Sequence, residues 1–359
     1  MTRVLIINTA HTTFNGITSV IMNYVRTTHK TVQYDFVLCG NTEQSFEDEL
    51  KKLGKSVFHP PYPRNKKPLK YVAWLKKIIK ENGYDAVHVH GNSGTMYFDI
   101  HAAKAAGAPI RIAHSHSTSS KHMLVHKILK PFLNCELTHA IACSDVAGKW
   151  LFNRKYIVLP NGIFLDKFAF SQETRSCYRK QFGIEDNIVV GHIGYMDVEK
   201  NHMFLLKVFK RLIERENNVR LMLIGDGRLR SEIEQYISQN DLSEHVFLLG
   251  KRSDVNNLYQ CMDVFVLPSL FEGLPVTLIE AQTAGLPCLV SNAVSKEANI
   301  LHDMIFLDIN ERDIDAWCDE ILRACKNKTD RLQKIEEMKK TVYNIDQCME
   351  KVLSIYKIE

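Results

Sequence analysis

Apolar residues along this chain fall into two alternating patterns. Short runs rich in Val, Ile and Leu read as strands buried on both faces of a parallel sheet: Val4 to Asn8, Tyr34 to Cys39, Asp85 to His90, Ile110 to His116 and His139 to Ser144 in the first half, then Ile188 to Ile193, Val219 to Ile224, Val246 to Leu249 and Val264 to Leu267 in the second. Between them lie segments with helical spacing, among them Thr18 to Thr28, Phe46 to Leu53, Ser231 to Gln239 and the stretch from Asp313 onward. Strands alternating with helices predict an α/β fold. With 359 residues the chain exceeds one usual core, so two domains are expected.

One helix departs from the plain pattern. From Pro68, Leu69, Val72, Leu75 and Ile79 share a face, while Arg64, Lys66, Lys67, Lys70, Lys76, Lys77 and Lys80 crowd the polar side. Two readings stay open: an interfacial helix drawn to anionic lipid, or a crossover helix packed on the sheet with solvated lysines. A second basic and apolar segment, Lys121 to Leu133, adds to the first reading. It would put a cytoplasmic chain at the inner face of the plasma membrane as a peripheral protein.

Composition narrows the function classes. The 45% apolar and 24% charged content is that of a soluble globular protein, and no apolar run approaches the ~20 residues needed to span a bilayer. The start, MTRVLIINTA, is too brief for a secretory signal and reads as a first strand. Nine cysteines without a C-x-x-C pair argue against structural zinc and a disulfide scaffold, and fit a reducing cytoplasm. A net charge of +5 does not imply nucleic acid but permits an anionic surface or substrate.

The chemistry concentrates in VFVLPSLFEGLPVTLIEAQTAGLPCLV, Val264 to Val290. A strand is broken by Pro268 and Ser269, Gly273 and Pro275 mark a turn, and a helix follows. A helix opening at a strand's carboxyl end offers unpaired N–H groups and a positive dipole end, a site suited to phosphate. Glu272 precedes that helix, and Glu280 lies inside it, where a carboxylate can accept hydrogen bonds from sugar hydroxyls. Elsewhere, His88 and His90, and His114 and His116, stand i, i+2 at the ends of two strands. Imidazole clusters without carboxylate or thiolate partners are unusual metal sites, so no metal is expected.

The string Glu272-Gly273-Leu274-Pro275 with Glu280 resembles the E-x7-E signature of retaining glycosyltransferases of family 4. That resemblance implies the GT-B fold, two Rossmann-like domains facing each other across a cleft. It also implies boundaries of 1–165 for an acceptor-side domain, joined by a returning C-terminal helix over 341–359, and 173–340 for the nucleotide-sugar domain. VLPNGIFLDKF looks like the family's crossing between the two, with Phe164 where aspartate is usual. By the same resemblance the donor is a nucleotide-diphosphate sugar, UDP-linked by family habit, and no cofactor is needed. Lys200 and the amides around Gly273, Leu274, Pro275 and Val276 would meet the diphosphate, Glu272 a hydroxyl of the transferred sugar, Glu280 the ribose and Arg252 the base. Asn15, Gly16 and His116 would come from the opposite domain. Tyr195 stands where the family commonly has arginine, which leaves one phosphate-binding cation missing. The expected function is transfer of a hexose-type sugar to a hydroxyl acceptor, often lipid-linked, in capsule or exopolysaccharide assembly. A GT-B epimerase or phosphorylase, and a non-catalytic nucleotide-sugar-binding subunit, remain as alternatives.

Overall fold

The apolar runs become strands of two separate parallel sheets in a computed structural model, which describes residues 1–10, 16–53, 55–117, 120, 123–272, 274–327 and 330–357. Contacts divide the chain into two units, 1–163 with 342–359, and 164–341. The first unit carries 23 Lys and Arg against 13 Asp and Glu, a net of +10, and the second 23 against 28, a net of −5.

Unit 1 runs β1 (Thr2–Asn8), α1 (Gly16–Thr28), β2 (Val32–Leu38), α2 (Gln44–Lys52), β3 (Ser56–Phe58), α3 (Pro68–Asn82), β4 (Ala86–Gly91), α4 (Tyr97–Ala106), β5 (Ile110–Ser115), α5 (Met123–Glu136), β6 (His139–Ala142), α6 (Asp145–Leu151) and β7 (Ile157–Val158). Its strands pair in parallel in the order β3-β2-β1-β4-β5-β6-β7, so the order reverses between β1 and β4. Side chains alternate across a strand, and each face therefore has its own cover. Leu5, Val87, Val89 and Ala113 pack with residues of α3, α4, α5 and α6 on one face.

Helix α3 resolves as a crossover helix. Tyr71, Leu75 and Ile79 are buried, each contributing about 2 kcal/mol. Leu69, expected on that stripe, is instead 85% exposed; the buried stripe starts at Tyr71, with Val72 partly buried beside it. Arg64, expected on the polar side, is buried: it pairs with Asp99 of α4 at 2.6 Å, and the Tyr71 hydroxyl donates to the same carboxylate at 2.6 Å. A buried charge persists only when paired and hydrogen-bonded, which this triad supplies.

Unit 2 runs α7 (Leu165–Phe168), α8 (Gln172–Phe182), β8 (Ile188–Ile193), α9 (His202–Arg215), β9 (Val219–Ile224), α10 (Arg230–Gln239), β10 (Val246–Gly250), α11 (Val255–Cys261), β11 (Val264–Leu267), α12 (Val276–Thr283), β12 (Cys288–Ser291), β13 (Ile305–Leu307), α13 (Ile314–Lys326) and α14 (Arg331–Lys339). Its sheet is parallel in the order β10-β9-β8-β11-β12-β13, reversing between β8 and β11. The last helix, α15 (Ile345–Tyr356), belongs to unit 1 and packs beside α1. It enters through a bridge between Asn344 and Ile163. Gly162 is needed there, since a Cβ would approach Cys348 Sγ to 2.8 Å. No helix among the described residues is long and apolar enough to cross a membrane, and all nine cysteines are free thiols.

Candidate functional site

In a doubly wound sheet the loops on either side of the order reversal splay apart at the strands' carboxyl ends and leave a crevice. In unit 2 those are the loops after β8 and β11. The β8 loop passes Gly194 and a short 3-10 turn, Val198–Lys200, before Asn201 in the left-handed region (φ 55°) starts α9. The β11 loop is stitched to it where Leu270 N donates to Glu199 O at 2.8 Å. On its other side Ser295 N donates to Glu272 O at 3.0 Å. Held from both sides, Glu272 meets Lys200 in a half-buried ion pair that spans the switch point. The sequence located both residues but assigned them to different groups of a ligand; in the fold each neutralises the other.

Glycines let three loops touch backbone to backbone. Gly225, at the end of β9, has φ +137°, and a Cβ there would come within 2.0 Å of Gly194 O. Gly225 N donates to Gly250 O at 2.9 Å, joining the end of β10. This is the physical reason for Gly225-Asp226-Gly227: no side chain fits at such an approach.

Helix α12 opens into the same crevice. Pro275 is its N-cap in extended conformation, and the helix begins at Val276. Pro275 has no side-chain oxygen to cap the helix, so the first-turn N–H groups lack a side-chain cap. Thr277 Oγ1 and Ser269 Oγ are buried there without a partner among the described residues. Sequence reading passed over both, since a lone hydroxyl carries no pattern. Gly273 lies outside the described residues.

Glu280 sits one turn along, on Tyr259, whose hydroxyl donates to Glu280 Oε2 at 2.9 Å and to Thr277 O at 3.0 Å. Burial raises the Glu280 carboxyl to about 7 despite that hydrogen bond. Part of the side chain still reaches solvent. Tyr259 had no sequence signal, because it arrives from α11. Arg252, after β10, is held in a two-pronged pair with Asp254 at 2.8 and 2.7 Å, so it is not a free cation. Tyr195, Val198, Leu270 and Phe271 expose apolar surface on the two loops that carry Lys200 and Glu272.

A cavity of about 480 Å³ lies at the other end of the sheet, lined by Arg175, Asp263 and Arg331 among others. Arg175 and Arg331 donate to carbonyls of Tyr259, Gln260, Cys261 and Met262 at the end of α11. They cap a helix C-terminus, a structural task.

In unit 1 the reversal falls between β1 and β4. Thr9 follows β1, and its N–H and Oγ1 both donate to His90 O, at 3.0 and 2.9 Å. The loop beyond is only partly described: Asn15 lies outside the described residues, and Gly16 is the first residue of α1. His88 and His90 of β4 stack on each other and on His114 and His116, with centroid separations of 4.2 to 5.4 Å. The register that sets His90 beside His114 assembles this column. His88 Nδ1 reaches the Tyr356 hydroxyl at 2.7 Å, and His90 Nδ1 lies 2.9 Å from His116 Nε2. Nitrogens of His88, His90 and His114 lie within 4.8 Å of one another. The three rings are inclined to one another by 8° to 34°. Burial lowers His88 and His116 to about 3, and His90 and His114 well below the ordinary value, so His116 is a neutral imidazole.

Comparison with known proteins agrees with this geometry. The sequence pattern of "Glycosyl transferases group 1" matches residues 175–342, and that of "Glycosyltransferase Family 4" matches 14–167. The chain is 33% identical over 359 residues to EpsF of Bacillus subtilis (strain 168), which carries a glycosyltransferase name, covering 96% of this chain and 93% of that one. It is 30% identical over 348 residues to the Escherichia coli UDP-Gal:alpha-D-GlcNAc-diphosphoundecaprenol alpha-1,3-galactosyltransferase, covering 90% and 89%. Among solved structures, Anabaena HepE in complex with UDP and glucose superposes with a TM-score of 0.80 over 99% of both chains at 17% identity, a likeness of fold.

Proposed function

Since the chain belongs to the glycosyltransferases of group 1 and family 4, we propose that it moves a hexose from a UDP-sugar to a hydroxyl acceptor with retention of configuration, in the assembly of a cell-surface polysaccharide. The observation that carries this reading is the Lys200–Glu272 pair across the switch point, beside the uncapped start of α12. An entering diphosphate takes Lys200 from Glu272 and accepts from the amides of Leu274 and Val276. Glu272, released, accepts a hydroxyl of the transferred sugar. Glu280 accepts from the ribose hydroxyls, and the base lies by the loop of Arg252.

Barrier lowering comes from stabilising the charge that grows on the departing diphosphate. Lys200 and the dipole of α12 supply that stabilisation where other designs use a divalent ion, so turnover needs no metal or cofactor. The leaving phosphate takes the acceptor's proton. On unit 1, neutral His116 serves as a hydrogen-bonding group and Gly16 as a point of close backbone approach. The E. coli relative acts on a diphosphoundecaprenol-linked sugar, and a lipid-linked acceptor is the corresponding proposal for this chain.

Calorimetric titration with UDP, GDP and ADP sugars tests the reading. UDP and one UDP-sugar should bind, and Lys200→Ala should weaken both by about tenfold or more. A full-length protein that binds no nucleotide, or a Lys200→Ala variant that binds like the parent, refutes it.

A further inference from the structure

Helix α5 has apolar side chains on both of its sides. His126 and Leu133 are buried against unit 1. On the opposite side Leu124, Ile128 and Phe132, each four residues from the next, are 73%, 56% and 54% exposed, with Met123 and Val125 exposed beside them. A helix at a water-facing surface normally carries polar residues there. This strip has none, and Lys127 lies at its margin.

Basic side chains predominate around it, with Glu81 of α3 and Glu136 of α5 as acidic exceptions that each pair with a lysine. Helices α3, α4 and α5 form one layer, with α4 packed against both neighbours. Helix α3 turns Lys70, Lys76, Lys77 and Lys80 outward in that layer, and the whole unit has a net charge of +10. A second copy of the same surface would bring like charges together. An anionic lipid surface complements both features, accepting apolar side chains at the acyl boundary and lysines among the headgroups.

We propose that the outer face of α5 rests in the interface of an anionic bilayer, with Leu124, Ile128 and Phe132 as the inserted side chains and the lysines of α3 over the headgroups. Of the two segments read from the sequence, α3 has its apolar stripe used in the core, which leaves α5 to supply the inserted side chains. It deepens the lipid-linked acceptor reading by giving that acceptor a surface on which to be met, and it is tested without any sugar transfer.

The test is co-sedimentation of the full-length protein with phosphatidylcholine vesicles, with and without phosphatidylglycerol. The parent should bind the phosphatidylglycerol-containing vesicles. Leu124→Ser combined with Ile128→Ser and Phe132→Ser should reduce binding by about tenfold or more while UDP binding and the unfolding midpoint are kept. Lys127→Glu, a substitution on exposed surface, covers the case in which the triple variant does not fold, and should also weaken binding. Equal sedimentation of parent and both variants overturns the proposal, as does equal binding to vesicles lacking phosphatidylglycerol. A parent that ignores vesicles but is a dimer by sedimentation velocity, with the triple variant monomeric, assigns the strip to a copy–copy interface and also overturns it. Loss of UDP binding with vesicle binding intact would instead count against the donor site alone.

Discussion

Glu280 is where pH should act most visibly. Its carboxyl titrates at about 7 in the fold against an ordinary 4.5, because burial disfavours the charged form. The folded state therefore holds an extra proton between those values. Its stabilising contribution is full below the unfolded value and is lost as pH rises through about 7. The difference corresponds to about 3 kcal/mol, an upper figure because part of the side chain still reaches water. Glutamine keeps the shape and can still accept from Tyr259, but cannot ionise. Glu280→Gln should thus match the parent in urea unfolding at about pH 5 and exceed it by about 2 kcal/mol at about pH 8. Donor binding should respond in the opposite sense. Ribose hydroxyls favour the ionised carboxylate, so UDP affinity of the parent should rise with pH through 7 and binding should release a proton. Calorimetry in two buffers of different ionisation enthalpy reads that proton directly. A stability gain that is the same at both pH values, or a parent UDP affinity flat with pH, would refute the argument.

Three further outcomes follow. Lys200→Ala should cut turnover by about a hundredfold with Glu272 left unpaired, and Lys200→Arg should restore part of it; initial rates with a UDP-sugar check this. Gly225→Ala forces a Cβ onto Gly194 O and strains a positive φ, so UDP binding should be lost and the unfolding midpoint should fall, readable by thermal shift. Asp99→Ala leaves the buried Arg64 guanidinium unpaired and should cost about 3–5 kcal/mol in urea unfolding, whereas replacing Asp99 and Arg64 together by apolar residues should cost less.

What the sequence made legible follows from what local pattern encodes. Strands such as Val264–Leu267 could be read because a strand buried on both faces must be apolar throughout. Lys200 and Glu272 were found by spacing within their own loops. Their pairing was not, because it depends on sheet order that brings together loops 72 residues apart. Arg64 looked like one more surface cation, since its partner Asp99 is 35 residues away on α4. The histidines were seen as two i, i+2 pairs. Only the β4–β5 register turns them into one column. Around α5 composition gave a basic and apolar segment, but composition cannot say which of two apolar sides finds a partner. Tyr259 beneath Glu280 was beyond reach for the same reason as Asp99.

The return of α15 to the first unit has a consequence for how the protein is made. Cys348, Met349, Val352 and Tyr356 are buried there, and the Tyr356 hydroxyl reaches the histidine column through His88. Synthesis runs from the amino end, and the second unit is continuous in sequence, whereas the first needs its last helix. Of the two units, the one whose synthesis starts earlier is therefore completed later. Until α15 has emerged, the surface that receives it stays exposed, and removal of α15 should harm the unit of residues 1–163 more than the unit it directly follows.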